Sequence, residues 1–527
     1  MSEGEVEPGV GVLLTDAARR WPGRRALSVD GRDYRFDELL QRAGRYAAML
    51  TAVGVRADDA VLMQLPNGIE LVALTHAAWL LGAVPVPIVS LYRERELASV
   101  LADCRPRVIV GTAERGTRRP VAELDAAMAA VDCRPAARWC IGPPPPGWQA
   151  LDDPAAASPA RPAAPAAPPA AAAPALADRC VVVLYTSGTT SEPKGVMHDS
   201  RTLLATVETY RRAAALDEQD TVFVPAPMGH VGALVGAAVL PCVLGASVVL
   251  LPRWQAAAAA ELIAAERVTF AAGASILLAE LVEAYEGGAH PEWRVPRFHT
   301  GAAAVSPELV ERAEAVGITA WRAWGMTEFP SIATGGMHAP RDRRVASDGR
   351  IEPGVEVKAV DPAGRPVPEG TEGELFVRGA KLMLGYSRPD RTAESVDADG
   401  WFRTGDRGVL DAGWVTVTGR VKDLINRGGE KFAARDIEDA ICAHPVLAAA
   451  AVLGAPDPRW GEVVVAFVTV RPGADFPGER AMAAYLSGTG LARQKVPVAW
   501  RVVDRLPRTA TGKVEKRTLL ARWLAGD

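Results

Sequence analysis

At 527 residues the chain is longer than a single hydrophobic core supports, so at least two domains are expected. Hydrophobic residues make up 49% and charged residues 23%, as in an ordinary globular protein, and the net charge of −4 leaves no basic footprint for nucleic acid. The six cysteines, at 104, 133, 140, 180, 242 and 442, form no Cys-x-x-Cys pair, so neither a zinc site nor a disulfide framework is indicated and a cytoplasmic setting fits.

The acidic start Met-Ser-Glu-Gly-Glu-Val-Glu has neither the basic nor the apolar region of a signal peptide. Residues 39–50 read as a helix, 60–64 as a strand and 69–81 as a buried helix too short to span a membrane. A strand follows over 108–111. Residues 154–175 are almost wholly Ala and Pro, which blocks regular helix and predicts an extended insertion within a domain. Strand 247–251, helix 256–266 and strand 269–271 continue an alternation that argues for α/β layers with parallel strands. From Gly349 the texture shifts to short strands (355–360, 374–378, 414–418) with Asp-Gly pairs at 348 and 399, which predicts a β-rich subdomain. Beyond Asp423, helix 434–443, strands 448–453 and 463–470, helix 479–486 and strand 500–503 predict a small α+β unit.

The most telling stretch is Tyr185-Thr-Ser-Gly-Thr-Thr-Ser-Glu-Pro-Lys-Gly195. The apolar run 180–184 reads as a buried strand that empties into small hydroxyl residues. Thr186, Ser187, Gly188, Thr189 and Thr190 can wrap an anion with backbone N–H groups and short hydroxyls, and Lys194 adds a mobile cation. The order is not that of a Walker A loop, because Lys194 is followed by Gly195 and Val196. It resembles the signature of the adenylate-forming superfamily: acyl-CoA synthetases, peptide-synthetase adenylation domains and luciferases.

Further motifs in the same order carry that resemblance over nearly the whole chain. Trp324-Gly325-Met326-Thr327-Glu328 resembles the aromatic-Gly-x-Thr-Glu segment, which implies an aromatic near adenine, a threonine at the α-phosphate and Glu328 on Mg²⁺; a carboxylate is a suitable hard ligand for that ion. Gly301-Ala302-Ala303 resembles the turn lining the adenine and acyl pockets. Thr404-Gly405-Asp406 followed by Gly419-Arg420 resembles the ribose-binding pair, and a carboxylate beside an Arg fork can take both ribose hydroxyls. The resemblance further implies a hinge at Asp423, a pantetheine channel at Gly428-Gly429 with Lys431 near the adenylate, and a catalytic lysine at Lys513. Such a lysine suits the chemistry, since a carboxylate attacking a phosphate joins two anions and fixed cations must stabilise the transition state.

Together these imply a large α/β N-terminal domain over 1–422, made of layered sheets with helices plus a β-rich subdomain, and a small mobile α+β C-terminal domain over 423–527. The expected reaction consumes ATP with Mg²⁺, forms an acyl-adenylate and passes the acyl group to coenzyme A. The alternatives are transfer to a carrier protein or separate transferase, and a non-catalytic ligand-binding homologue. Met228, Gly229, His230, Gly232 and Gly236 fall where relatives line the acyl pocket. No Asp stands between Val224 and Val239 to pair a substrate ammonium, which disfavours an α-amino acid. Small residues along this wall favour a bulky, alicyclic or aromatic acid. The chain looks most like cyclohexanecarboxylate-type CoA ligases, although Arg427-Gly-Gly-Glu-Lys-Phe-Ala-Ala434 also resembles the aryl-acid adenylating enzymes. One departure is Ser191 where the superfamily has Gly; at positive φ it would cost roughly 1–2 kcal/mol.

Overall fold

The computed structural model describes residues 9–151, 179–186, 193–288, 292–303, 305–427, 430–489, 491–509 and 512–526. The Ala/Pro segment, Ser187, Gly188, Thr189, Thr190, Ser191, Gly428, Gly429 and the Lys431 side chain lie outside the described residues.

Six strands of the largest sheet run parallel: Arg25–Val29, Ser247–Leu250, Thr221–Val224, Phe270–Ala274, Arg297–Gly301 and Thr319–Met326. Helices cover them, as parallel strands buried on both faces require. At Thr319–Met326 the direction reverses, because a tight turn at Thr327-Glu328 sends Phe329–Thr334 back antiparallel, with Met326 opposite Phe329. The short strands after Gly349 extend this antiparallel half of the same thirteen-stranded sheet. The expected β-rich subdomain is therefore continuous with the α/β core. The Asp-Gly at 348 is not a free turn either: Asp348 is buried against Arg322 at 2.7 Å, and a Cβ on Gly349 would come within 2.4 Å of the Thr334 backbone.

A second sheet, all parallel, contains Val84–Pro87, Ala60–Met63, Val108–Thr112, Ala137–Ile141 and Gln149–Ala150. Between the sheets lies helix Ile69–Leu80, with ten of its twelve residues buried. Its lack of a polar face follows from that position, since a helix apolar all round must be enclosed. A small third sheet pairs Val182–Thr186 with Lys194–His198 and Gly385–Tyr386. The C-terminal region forms its own five-stranded sheet, Glu430–Ala433, Leu424–Arg427, Gly461–Val470, Leu447–Asp457 and Ala499–Val502, with helices Ala434–Cys442 and Glu479–Gly488. No helix among the described residues is long and apolar enough to cross a membrane.

Four histidines, His76 and His198 buried and His230 and His299 half-buried, are held in the neutral form. Desolvation holds His76 at about 3 and His198, His230 and His299 at about 4. Partly opposing it are the Ala238 carbonyl at His76, and the Thr327 backbone and Asp199 at His198; Lys513 reinforces it at His230. Below pH 6.5 the unfolded chain takes up protons that the folded chain refuses, so stability is complete above that pH and is lost as pH falls towards 4. Each histidine contributes up to about 1.4 kcal/mol per pH unit in that window. The midpoint temperature is expected to fall steeply between pH 6.5 and 5 in a calorimetric series and to be flat in this contribution above pH 7.

Candidate active site

The chemistry-bearing segments meet at the C-terminal ends of the parallel strands, beside the strand where the sheet reverses direction. Open α/β sheets bind their ligands at such a switch point. Thr221–Val224 leads to Met228, Gly229 and His230; Arg297–Gly301 leads to Ala302 and Ala303; Thr319–Met326 carries Trp324, Gly325 and Met326 and ends at Thr327 and Glu328.

Asp406 and Arg420 are directly opposite each other on adjacent antiparallel strands, and Arg420 Nε is 3.0 Å from Asp406 Oδ1. The indole of Trp324 donates to the other carboxylate oxygen at 2.9 Å. Trp324 is thus buried and orients Asp406, a function its place in the motif did not disclose. Each carboxylate oxygen retains a lone pair for a sugar hydroxyl. Thr404 fixes the approach to this strand by donating to the Leu375 carbonyl at 2.6 Å and accepting the Asp406 N–H at 3.0 Å.

Thr186 is the last residue of its strand, paired with Lys194, so the phosphate-loop segment joins two antiparallel strands. The Lys194 ammonium sits 5.0 Å from the Tyr386 ring centroid, and the Tyr386 hydroxyl donates to Glu328 Oε1 at 2.7 Å. Lys194 and Glu328 are therefore joined through one aromatic side chain. Asp103 supports them from behind, accepting from the hydroxyls of Tyr185 and Ser387. A Cβ on Gly195 would lie 2.7 Å from Ser387 Oγ and 3.1 Å from Asp103, so this glycine is required by close packing.

Lys513 enters from the C-terminal region. Its loop is closed by Thr509 N–H on the Lys513 carbonyl at 2.7 Å and by the Arg508 guanidinium on the Gly512 carbonyl at 2.7 Å. Gly512, at φ 79, lies against Ile276 on the helix that follows the strand Phe270–Ala274, where a Cβ would come 2.6 Å from Ile276 Cγ2. Burial lowers the Lys513 ammonium below its ordinary range, as does Arg420, while Asp406, Glu328 and Asp423 draw it back up. The same lysine lowers His230. Lys513, Arg420, Asp406, Glu328 and His230 thus share one cleft. The two regions are held in this arrangement by Arg435, which donates to the carbonyls of Val417 at 2.8 Å and Val305 at 3.3 Å, and by the Arg471–Glu308 pair at 3.1 Å. Asp423 ends the short 3-10 turn Val421–Asp423 that connects them.

Gly301 is another forced glycine of the cleft: a Cβ there would meet the Ala323 carbonyl at 2.7 Å. Ala302 beside it stands at φ 62, a left-handed conformation that strains an L-residue. Ala302→Gly is expected to raise stability by about 1 kcal/mol or less, after the entropy cost of glycine, and thermal denaturation would measure it.

The glycine-rich wall at 229–236 differs from expectation. Gly229 abuts the Val89 backbone, with a Cβ position 2.9 Å from its nitrogen; Gly232 abuts the Tyr210 hydroxyl at 2.8 Å and Gly236 abuts Val224 at 3.1 Å. Their smallness admits neighbouring protein atoms as much as ligand. Met228 is wholly buried, its N–H held by Asn67 Oδ1 at 3.0 Å, while Asn67 donates to the Ala226 carbonyl at 2.8 Å. His230 caps the helix Val231–Leu234, and its Nε2 is buried with no partner among the described residues. Being neutral, it is suited to hydrogen bonding or gating and is too weak a base for proton abstraction at neutral pH.

Among the described residues no group of three His, Cys, Asp or Glu side chains gathers to hold a metal. Of the carboxylates in the cleft, Asp406 is engaged by Arg420 and Trp324, and Glu328 stands on the Lys194 side. That fits Mg²⁺, which is commonly held by one or two protein carboxylates together with substrate phosphates and water.

Residues 14–387 match the AMP-binding enzyme family, and residues 436–513 match the AMP-binding enzyme C-terminal domain. A sulfoacetate–CoA ligase of Cupriavidus necator is 33% identical over 98% of this chain and 99% of its own length. A feruloyl-CoA synthase of an Amycolatopsis species is 32% identical over 98% and 99%. Among solved structures, ATP-bound MatB from Rhodopseudomonas palustris superposes with a TM-score of 0.84 at 27% identity, covering 97% of this chain and 99% of that one. With family-model matches over most of its length and relatives covered nearly end to end, the chain belongs to the AMP-binding enzymes, the adenylate-forming family of AMP-forming acid–thiol ligases.

Proposed function

We propose that this enzyme activates a bulky alicyclic or aromatic carboxylic acid with ATP and transfers the acyl group to coenzyme A. A carboxylate oxygen attacks the α-phosphorus, the bond to the bridging oxygen breaks, and pyrophosphate leaves. The thiol of coenzyme A then attacks the acyl carbon and AMP departs. The observation that carries this reading is the position of Lys513, beside Asp406, Arg420, Glu328 and His230. In these roles Asp406 and Arg420 hold the ribose, Lys194 with the segment Thr186–Thr190 holds the β- and γ-phosphates, and Lys513 reaches the reacting carboxylate and α-phosphate. Gly301, Ala302 and Ala303 line the adenine pocket, and Thr327 bonds the α-phosphate. Mg²⁺, when bound at Glu328, neutralises charge on the phosphates.

The domain boundary falls at Asp423, whose rotation would withdraw Lys513 and present Gly428, Gly429 and Lys431 to the pantetheine arm. The setting is cytoplasmic. Acid-dependent exchange of labelled pyrophosphate into ATP, over aliphatic, alicyclic and aromatic acids, tests the first step; acyl-CoA formed on adding coenzyme A tests the second. Exchange without acyl-CoA would instead favour a carrier-protein acceptor, and no exchange with any acid would refute the reading.

A further inference from the structure

The smallest sheet lies where it can hold both charged groups of the phosphate side. Lys194 opens the strand Lys194–His198, and Tyr386 ends the strand Gly385–Tyr386, opposite Val196. The Tyr386 side chain engages two opposite charges at once. The Lys194 ammonium lies 5.0 Å from its ring centroid, and its hydroxyl donates to Glu328 Oε1 at 2.7 Å. Lys194 and Glu328 form no ion pair with each other among the described residues. An ammonium and a carboxylate that meet attract strongly in a cleft of low dielectric, and such a pair would tie up both charges.

Tyr386 is itself held firmly. It is 3% exposed, within a core that includes Val196, Trp324 and Phe329. Its N–H donates to Thr392 Oγ1 at 2.9 Å, and the N–H of Ser387 donates to the Gly195 carbonyl at 2.8 Å. The same segment grips the main chain of the metal-binding candidate, since the Met383 N–H donates to the Glu328 carbonyl at 2.9 Å. Residues 383–387 therefore fix Glu328 by backbone and side chain while resting on the neighbour of Lys194. Burial, and after it the Glu328 charge, raise the Tyr386 hydroxyl far above its ordinary range, so it remains a donor at neutral pH. A single donated bond occupies one lone pair of Oε1 and leaves Oε2 for a hard cation. A ring face steadies an ammonium without consuming its N–H donors, which stay available to phosphate oxygens.

We propose that Tyr386 is a positioning residue: its hydroxyl orients the Glu328 carboxylate for Mg²⁺, and its ring keeps Lys194 off that carboxylate and ready for the phosphates. The inference rests on the reading of Glu328 as the magnesium ligand and Lys194 as a phosphate contact. Calorimetric titration of ATP in the absence of any acid, once with Mg²⁺ and once with EDTA, measures binding without turnover. The wild-type enzyme is expected to bind ATP more tightly with Mg²⁺, and Glu328→Gln to lose that advantage. Tyr386→Phe keeps the ring and removes the donor. It should bind ATP in EDTA as wild type does, yet about tenfold more weakly with Mg²⁺, the lower end for losing a partner that orients a metal ligand. Tyr386→Leu removes the seat of Lys194 as well and should weaken ATP under both conditions. A Tyr386→Phe Kd equal to wild type in both buffers, or weakened equally in both as a merely structural role would have it, overturns the hydroxyl's part. Wild-type affinity of Tyr386→Leu in EDTA overturns the ring's part. Loss of the Mg²⁺ advantage in Glu328→Gln but not in Tyr386→Phe sinks the positioning role alone. An advantage that survives Glu328→Gln sinks the magnesium reading beneath it, while pyrophosphate exchange by wild type judges the ligase reading separately.

Discussion

Replacement of Lys513 by alanine is expected to lower acid-dependent pyrophosphate exchange by about 10²–10³-fold, the range for removing one fixed electrostatic contact to a transition state. The side chain lies where charge accumulates. An incoming carboxylate and the α-phosphate are both anionic, and the low-dielectric cleft that depresses Lys513 also magnifies its attraction for them. Arg420 cannot substitute, because Asp406 holds its guanidinium at 3.0 Å. Lys194 cannot either, for it is bound over Tyr386 on the phosphate-loop side. ATP affinity should change little, as the proposed ribose and phosphate contacts come from residues before Asp423. With acyl-adenylate supplied directly, acyl-CoA formation should proceed at nearly the wild-type rate, since in the proposed mechanism the second step uses the other face of the small domain. Comparing exchange with thioester formation from supplied adenylate measures both. Equal losses in the two assays would rule out a role confined to adenylation.

What the sequence disclosed and what it hid follow a physical rule. Segments whose chemistry is local were legible as motifs, among them the Thr-Glu after Trp324 and the Asp406 and Arg420 segments that the structure pairs, while most of the hydroxyl-rich loop before Lys194 lies outside the described residues. Helix 69–81 was legible because enclosure removes its polar face. Residues that act through distant partners were not. Asp103 is a lone acid on a helix until Ser387, 284 positions away, folds onto it. Asn67 gains meaning only from Met228 and Ala226. Tyr386, bridging Lys194 and Glu328, lies outside every one of these motifs. Glycine is ambiguous for a similar reason. A small residue makes space, but only the fold says whether ligand or backbone fills it, as Val89 does against Gly229. Sheet continuity is equally non-local: nothing in the strand at 355–360 reveals that its sheet begins with the parallel strands around Phe270.

Asp406→Ala is expected to raise the KM for ATP by about 10–100-fold, with a smaller fall in kcat. One carboxylate here orders three groups: the Trp324 indole at 2.9 Å, the Arg420 guanidinium at 3.0 Å and, in the proposed complex, the ribose. Losing a charged acceptor for a substrate hydroxyl costs about 1.5–3 kcal/mol, which sets the stated range. The indole N–H, buried with Trp324 at 6% exposure, would be left unpaired, costing about 1–3 kcal/mol of stability. Arg420, released from its partner, would turn its charge more fully on Lys513, which it already opposes, and push that ammonium further down. Asp406→Asn separates these effects. It keeps an oxygen to accept from Trp324 or the ribose but removes the charge that steadies Arg420. Its thermal stability should therefore lie near wild type, while its exchange activity falls at a lower pH on the alkaline limb than in wild type. A wild-type KM for ATP in the alanine variant would remove Asp406 from the ribose site.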